Sequence, residues 1–403
     1  MITMRLNYLA FVFLLLKSSS FLAQNNTTDS LKQVLKTAKH DTTRCSILNA
    51  LIESENDDNV WPKYNEQLKQ ICELNLTKKN LKPIEKKRFT VFYAAVFNYL
   101  GYYAENIEAD IVKALGYYEK SIKLNEEAGN KAGVATIYNN MAFIYKTKGD
   151  IPKTMAYFEK SLAIYTQIDF KEGIAAAYNN IGLVYDHQGN AEKTLEYYDK
   201  SLKIQQEIGN KEGVAMSFNN IGLIYDDQGN IPKALEYYQR ALKIREEIGD
   251  KKGVATSLKS IGYVYNTMGD IPKALEYYHK NLKIREEMGD KKGIAGSLNN
   301  LGMIYKNQGN IDKGLDYSQR SLKIYEEIGD KYGIAISLNN MGSIYESKGD
   351  LAKALEYYHE SLKIREEFQN KEGITKSLIV IGSVYHDQKE YRKAIEYSEK
   401  GMV

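Results

Sequence analysis

The sequence contains few of the residues from which metal sites and catalytic centres are usually built. Its 403 residues include two cysteines, five histidines, five prolines and one tryptophan. It has no pattern typical of a phosphate-binding loop, a dinucleotide fingerprint, a nucleophile elbow or a zinc-protease helix. We therefore expect no enzymatic activity, no metal, no cofactor and no small-molecule substrate.

Neither sign of charge dominates this sequence. Lysine and arginine together number 55, against 52 aspartates and glutamates, which gives a net charge of +3. Such a balance does not attract nucleic acid or an anionic membrane surface. The contents of apolar residues, 43%, and of charged residues, 27%, are typical of a folded chain. We therefore expect no nucleic acid among its partners.

The first 24 residues resemble a secretory signal peptide. Arg5 gives a positive start, Leu6 to Leu16 form a short, mainly apolar run, and cleavage is expected after Ala23 or nearby. The alternative is an uncleaved membrane anchor, but eleven residues are fewer than the roughly 20 that span a bilayer. The sequence therefore predicts a signal peptide over 1–24 and an exported protein, periplasmic or extracellular.

From about residue 91 onward the sequence repeats itself every 40 residues. A tyrosine marks the same position of seven successive units: Tyr145, Tyr185, Tyr225, Tyr265, Tyr305, Tyr345 and Tyr385. A strict period of this length indicates one supersecondary unit stacked many times, which is a solenoid. Seven units run from Lys131 onward, the last incomplete, and a degenerate unit occupies about 91–130.

Each unit is predicted to be a pair of helices, A and then B. Residues 211–250 show the pattern, with apolar residues at helical spacing before and after a break at Gly229 and Asn230. Pro232 then lies in the first turn of helix B, where a missing N–H costs nothing. Gly249 ends that helix in a position that suits glycine.

A glycine recurs in the middle of helix A, where it costs about 1 kcal/mol relative to alanine. The series is Gly182, Gly222, Gly262, Gly302, Gly342 and Gly382. We interpret it as close approach of helix B, whose tyrosine pairs, such as Tyr237 and Tyr238, need room. These tyrosines are expected to be packing residues.

The repeated order of small residue, tyrosine, alanine and aromatic residue resembles the tetratricopeptide repeat over roughly 91–403. The first position of helix A lacks the usual tryptophan, and the period of 40 is similar to that of the kinesin light chain type. The resemblance implies an all-α, right-handed superhelical solenoid of antiparallel helix pairs, about eight repeats in number. It also implies a non-catalytic scaffold that binds a protein or an extended peptide on its concave face.

Residues 25–90 form a weaker helical segment, interpreted as a degenerate N-terminal repeat that covers the first regular unit. Cys45 and Cys72 lie near the outer ends of two of its predicted helices. If these helices pack antiparallel, the two cysteines lie opposite each other, at similar distances from the turn between the helices. Two interpretations stay open: a disulfide, which an oxidising compartment permits, or two small buried thiols.

A pair of asparagines occupies the same two helix A positions in five units, and we call these positions the amide positions. They are Asn139, Asn140, Asn179, Asn180, Asn219, Asn220, Asn299, Asn300, Asn339 and Asn340. We expect the side chains to point away from the core along the inner surface. There their donors and acceptors can hold a peptide backbone, as asparagines of helix A do in the arrays that this sequence resembles. The alternative is hydrogen bonding between neighbouring repeats. Lys259 and Ser260 interrupt the series, and Ile379 and Val380 end it.

The last B helix, from about Tyr391 to Val403, is shorter than its predecessors. An exported array of this kind resembles the periplasmic sensory half of bacterial signalling proteins. The second hypothesis for function is therefore a sensor module, or a fragment of one, belonging to a membrane-bound histidine kinase or similar system. Contact with a membrane is expected only through a partner or a missing C-terminal segment.

Overall fold

The computed structural model describes residues 28–55 and 57–402, and the predicted signal peptide lies outside them. The described residues form 19 helices and no strand. The helices are α1 Thr28–Thr37, α2 Asp41–Ser54, α3 Trp61–Leu76, α4 Pro83–Asn106, α5 Ile111–Glu127, α6 Lys131–Thr147, α7 Ile151–Gln167, α8 Lys171–His187, α9 Ala191–Glu207, α10 Lys211–Asp227, α11 Ile231–Glu247, α12 Lys251–Thr267, α13 Ile271–Glu287, α14 Lys291–Asn307, α15 Ile311–Glu327, α16 Lys331–Ser347, α17 Leu351–Glu367, α18 Lys371–Asp387 and α19 Tyr391–Met402. The predicted all-α class is confirmed.

The capping residues explain why the helices begin and end where they do. Asp150 and Asn190 each accept a hydrogen bond, 3.1 Å long, from the backbone N–H three residues into the following B helix. Gly229 and Gly249 follow helices α10 and α11 with φ of 70°, the left-handed conformation that glycine adopts without strain. The capping residues and glycines of the turns thus determine where the helices of each 40-residue repeat begin and end.

The chain divides into two compact units after Gly213, within α10. Unit one is described over 28–55 and 57–213, and unit two over 214–402. Each consists of helix pairs packed side by side, with even-numbered helices from α4 to α18 as A helices and the helix after each as its B helix. The predicted boundary at 90/91 lies inside the continuous helix α4, which begins the first pair at Pro83.

The N-terminal helices of unit one enclose a core of their own. Trp61, Leu68 and Phe89 are buried in it together with Cys45 and Cys72. Both cysteines are free thiols.

Four of the six mid-helix glycines of the A helices lie against tyrosines of the B helices, as predicted, whereas Gly302 and Gly382 face Ser318 and Ser398. A Cβ atom at Gly182 would be 2.7 Å from a ring carbon of Tyr198, and one at Gly342 would be 2.7 Å from Tyr358. Both tyrosines are 2% exposed. Glycine at these positions therefore lets a buried phenol ring pack directly on the A helix.

A second set of tyrosines joins the helices by ring stacking within each pair from α6 and α7 to α18 and α19. Tyr145 and Tyr157 stack with their ring centroids 5.4 Å apart, and Tyr265 and Tyr277 stack at 5.5 Å. A lysine lies over the first ring of each stack, as Lys153 does over Tyr145 at 4.9 Å. The abundance of tyrosine in the sequence is thus explained by packing.

None of the described helices combines the length and the apolar character that crossing a membrane requires.

Candidate functional site

In unit one the amide positions join neighbouring A helices. Asn180 of α8 donates from Nδ2 to Oδ1 of Asn139 in α6, 2.7 Å away. Asn140 of α6 donates in the same way to Asn98 of α4 at 2.8 Å. Asn139, Asn179 and Asn180 are buried, with 7 to 8% exposure. These amides link one repeat to the next.

The expectation that all ten amides stay unburied is therefore wrong for Asn139, Asn179, Asn180 and Asn299. Asn299, in unit two, is 4% exposed and donates to Ser337 Oγ of α16 at 2.9 Å. The physical reason is that neighbouring A helices pack against each other through the amide positions. Hydrogen bonding between repeats, the alternative raised by the sequence, accounts for Asn139, Asn180 and Asn299.

The remaining amides of unit two are in a different environment. Asn219, Asn220, Asn300, Asn339 and Asn340 are half-buried, each with part of its surface open to solvent. Asn219 accepts a long contact of 3.5 Å from Arg245, a buried arginine that also donates to Ser257 at 2.7 Å. Asn300, Asn339 and Asn340 make no hydrogen bond within the described part of the chain. Three amides of α14 and α16 thus keep free donors and acceptors.

Large apolar side chains are exposed on two other A helices of unit two. Leu223 of α10 is 45% exposed and Tyr263 of α12 is 54% exposed, at the same position of successive repeats. Leu183 and Met303, at this position in other repeats, are half-buried. Tyr263 follows the interruption of the amide series at Lys259, which is itself exposed. We call Leu223, Tyr263, Asn300, Asn339 and Asn340 the open A-helix surface of unit two.

Sequence reasoning missed two contributors to this region. Asn98, which accepts from Asn140, lies 42 residues before it and so falls outside the 40-residue period. Arg245 was missed because arginine on a B helix looks like an ordinary surface residue. The sequence does carry a signal for Arg245: an arginine recurs at the same position of three repeats, as Arg245, Arg285 and Arg365.

Two titratable groups with raised pKa values, Glu53 and Cys72, lie among the N-terminal helices of unit one. Burial raises the pKa of Glu53 to about 7, against hydrogen bonds from Tyr99 and Asn49 that lower it. A hydrogen bond with Cys45, together with burial, raises the pKa of the Cys72 thiol. A raised thiol pKa disfavours the reactive thiolate, so Cys72 has the character of a packing residue.

The described residues contain no cluster of three or more His, Cys, Asp or Glu side chains that could hold a metal ion. The sequence leaves two interpretations of Cys45 and Cys72 open, and in the structure both residues are buried free thiols.

Family models match most of the repeat region. One described as tetratricopeptide repeat matches residues 173–247, 228–287, 253–327, 293–367 and 333–402. A second model with the same description matches residues 134–168. Among curated proteins, none matches this chain. The resemblance predicted from the sequence is confirmed.

Several solved structures are similar to this chain at low sequence identity. The apo form of the quorum sensor NprR from B. thuringiensis is 14% identical, with a TM-score of 0.60, over 90% of this chain and 97% of that one. Aspartyl phosphate phosphatase F from Bacillus subtilis is 14% identical, with a TM-score of 0.56, over 90% and 92% of the two chains. A signal transduction ATPase with a tetratricopeptide repeat sensor, from Pyrococcus horikoshii, is 16% identical, with a TM-score of 0.55, over 94% and 66%. Identities this low show a shared fold alone.

Proposed function

Because this chain belongs to the tetratricopeptide repeat family, we propose that it is a non-catalytic scaffold which binds an extended peptide, or an extended segment of a protein. The binding surface is the open A-helix surface of unit two. Its chemistry combines exposed apolar side chains with amides that have no partner among the described residues.

The observation that carries this proposal is the exposure of Tyr263 and Leu223 on successive A helices. Their solvent-accessible fractions, 54% and 45%, leave large apolar areas in water, and covering these areas with a ligand is favourable. Aromatic side chains with a polar tip are also enriched at protein interfaces. Leu223 and Tyr263 are therefore candidates for the apolar anchors of a bound peptide.

The amides supply the second requirement for holding a peptide. An extended backbone presents N–H and C=O groups that lose water on binding and need new partners. Each asparagine side chain offers two donors and an acceptor. Asn300, Asn339 and Asn340 are half-buried and unpaired, so they can meet a backbone without first breaking a bond to another described residue.

The proposal is tested by selecting peptides from a displayed random library on the full chain and titrating the enriched peptides. We expect the double variant Leu223→Ser, Tyr263→Ser to bind these peptides at least about tenfold more weakly than the wild type, because two apolar anchors are lost. The matched control is Ile395→Ser, on a B helix, where the isoleucine is 59% exposed. Enrichment of no peptide, or equal affinity for both variants, would contradict the proposal.

A sensor module would bind a ligand as the scaffold does, and it would differ only because binding is coupled to a signalling system. Its support is the sequence resemblance to signalling proteins, together with the similarity in fold to the quorum sensor NprR. We keep it as the second proposal, along with export directed by residues 1–24. An in-frame apolar span of about 20 residues downstream of Val403 would favour it. Recovery of the protein from the cytosol of its own cells would contradict export.

A further inference from the structure

Three B helices carry an arginine at the same position of their repeats, and the third lacks the partner that the second has. Arg285 pairs with the carboxylate of Asp290, five residues further along the chain. Five residues after Arg365 the chain has Asn370 instead. Asp290 and Asn370 both cap the following helix, by accepting from the backbone N–H of Gly293 and Gly373 respectively. Asn370 therefore caps its helix as Asp290 does, but it lacks the negative charge of Asp290.

The Arg365 guanidinium is consequently a cation without a counter-ion among the described residues. Its Nη1 donates to the carbonyl oxygen of Gly373 at 2.8 Å and to Ser377 Oγ at 2.9 Å, and both acceptors are neutral. No carboxylate within the described residues forms an ion pair with it. Burial lowers the pKa of Arg365, but arginine remains protonated in proteins at physiological pH. A half-buried, unpaired charge is costly, and an anion would relieve that cost.

Arg365 lines a cavity of about 330 Å³ in unit two. The other lining residues are Asn339, Lys376, Ile379 and Val380. Ile379 and Val380 occupy the two amide positions of α18, so aliphatic side chains form one wall where other repeats have asparagines. Lys376 already pairs with Glu372, which leaves Arg365 as the uncompensated positive charge of the cavity.

We propose that this cavity binds a carboxylate carried next to an aliphatic side chain, with the carboxylate on Arg365 and the aliphatic group against Ile379 and Val380. The inference rests on the proposed function in one respect: the carboxylate is taken to belong to the bound peptide. Such a group is either the C-terminal carboxylate of the peptide or an aspartate or glutamate side chain. One guanidinium balances one negative charge, and charge-assisted hydrogen bonds to a carboxylate are the strong ones.

The test uses small probes and the full chain. N-acetylleucine presents a terminal carboxylate beside an aliphatic side chain, and N-acetylleucinamide is the same molecule without the charge. N-acetylglutamic acid α-amide presents only a side-chain carboxylate. Each probe is titrated while the Nε–Hε resonance of Arg365 is followed by NMR, and the resonance is assigned by its loss in Arg365→Met.

We expect a saturable shift of this resonance with a carboxylate probe and no saturable shift with N-acetylleucinamide. A stronger response to N-acetylleucine than to the glutamate derivative identifies a C-terminal carboxylate as the natural ligand, and the reverse order identifies an acidic side chain.

The matched variant is Asn370→Asp, which restores the partner that Arg285 has and removes no atom of the cavity. We expect at least about tenfold weaker binding of the carboxylate probes to this variant, because an internal carboxylate competes for Arg365. A variant that folds as the wild type and binds the probes equally well would overturn the proposal. So would the absence of any saturable shift in the wild type.

This test separates the two proposals. If selected peptides bind and the carboxylate probes do not, the scaffold function stands and the carboxylate site is wrong. If the probes bind Arg365 and no peptide is enriched by selection, the site stands and the scaffold function is wrong.

Discussion

Asn180 donates a hydrogen bond from its side chain to the side-chain oxygen of Asn139, 2.7 Å away, and so joins α8 to α6. Both amides are buried between consecutive repeats. In an array where each repeat contacts mainly its neighbours, stability depends on interfaces of this kind. The asparagines of unit one are therefore explained by cohesion between repeats, while those of unit two include amides unpaired within the described residues.

The first prediction separates these two kinds of asparagine. Asn180→Ala should destabilise α6 and α8 by about 1 to 3 kcal/mol, because the oxygen of Asn139 loses its donor while buried. Asn300→Ala should change stability by less than about 0.5 kcal/mol, because Asn300 makes no hydrogen bond within the described residues. Amide hydrogen exchange measures both effects locally. Equal effects of the two substitutions would show that the buried amide pair has no special role.

The second prediction concerns the glycines of the helices in unit one. Gly182→Ala should destabilise the protein by about 1 to 3 kcal/mol, because the new methyl group would overlap the ring of Tyr198. Gly116, also within a helix, has open space where a Cβ would be built. Gly116→Ala should therefore stabilise the protein by roughly 0.4 to 1 kcal/mol. Denaturation midpoints that move in the same direction for both variants would contradict the packing account.

The third prediction is a pH dependence centred on Glu53. Its pKa in the folded protein is raised from 4.5 to about 7, with burial as the main cause. A raised pKa of an acid means that stability is greatest below pH 4.5 and is lost as the pH rises through about 7. The loss amounts to at most about 3 kcal/mol in the free energy of unfolding around α2 and α4.

Glu53→Gln is the control for this pH dependence, because the amide oxygen can still accept from Tyr99 and Asn49. The variant should match the wild type near pH 4 and exceed its stability near pH 8. Hydrogen exchange of α2 amides, compared between the two proteins at both pH values, gives the difference. A constant difference across this range would mean that Glu53 keeps an ordinary pKa.

The fourth prediction concerns Cys45 and Cys72. Since both thiols are buried and the pKa of Cys72 is raised, a thiol reagent should label neither in the native protein and both after unfolding without reductant. The absence of labelling after unfolding would show instead that the two cysteines form a disulfide.

The sequence predicts the helix pairs because their turns are marked by chemistry of short range. Gly229 and Asn230 specify the end of one helix and the start of the next, whatever surrounds them. The close approach of Gly182 and Tyr198 was also predictable, since a glycine repeated in the middle of a helix indicates that a neighbouring side chain occupies the space of its Cβ.

The burial of Asn139 was not predictable in the same way. It depends on how each A helix is rotated against its neighbour, a property of packing between repeats that spacing within one repeat does not determine. The unpaired charge of Arg365 was hidden for another reason. Aspartate and asparagine are equivalent as helix caps, so the change from Asp290 to Asn370 looks neutral until the arginine is seen beside it.

The central claim, that the open A-helix surface of unit two holds an extended peptide, is tested most directly by site-specific photo-cross-linking. A benzophenone amino acid is placed at Tyr263 or, as the control, at Ile395, and each protein is irradiated with a peptide enriched by selection. The account predicts covalent adducts at position 263 and none at 395, mapped by mass spectrometry. Adducts at 395 alone, or equal yields at both positions, would contradict it.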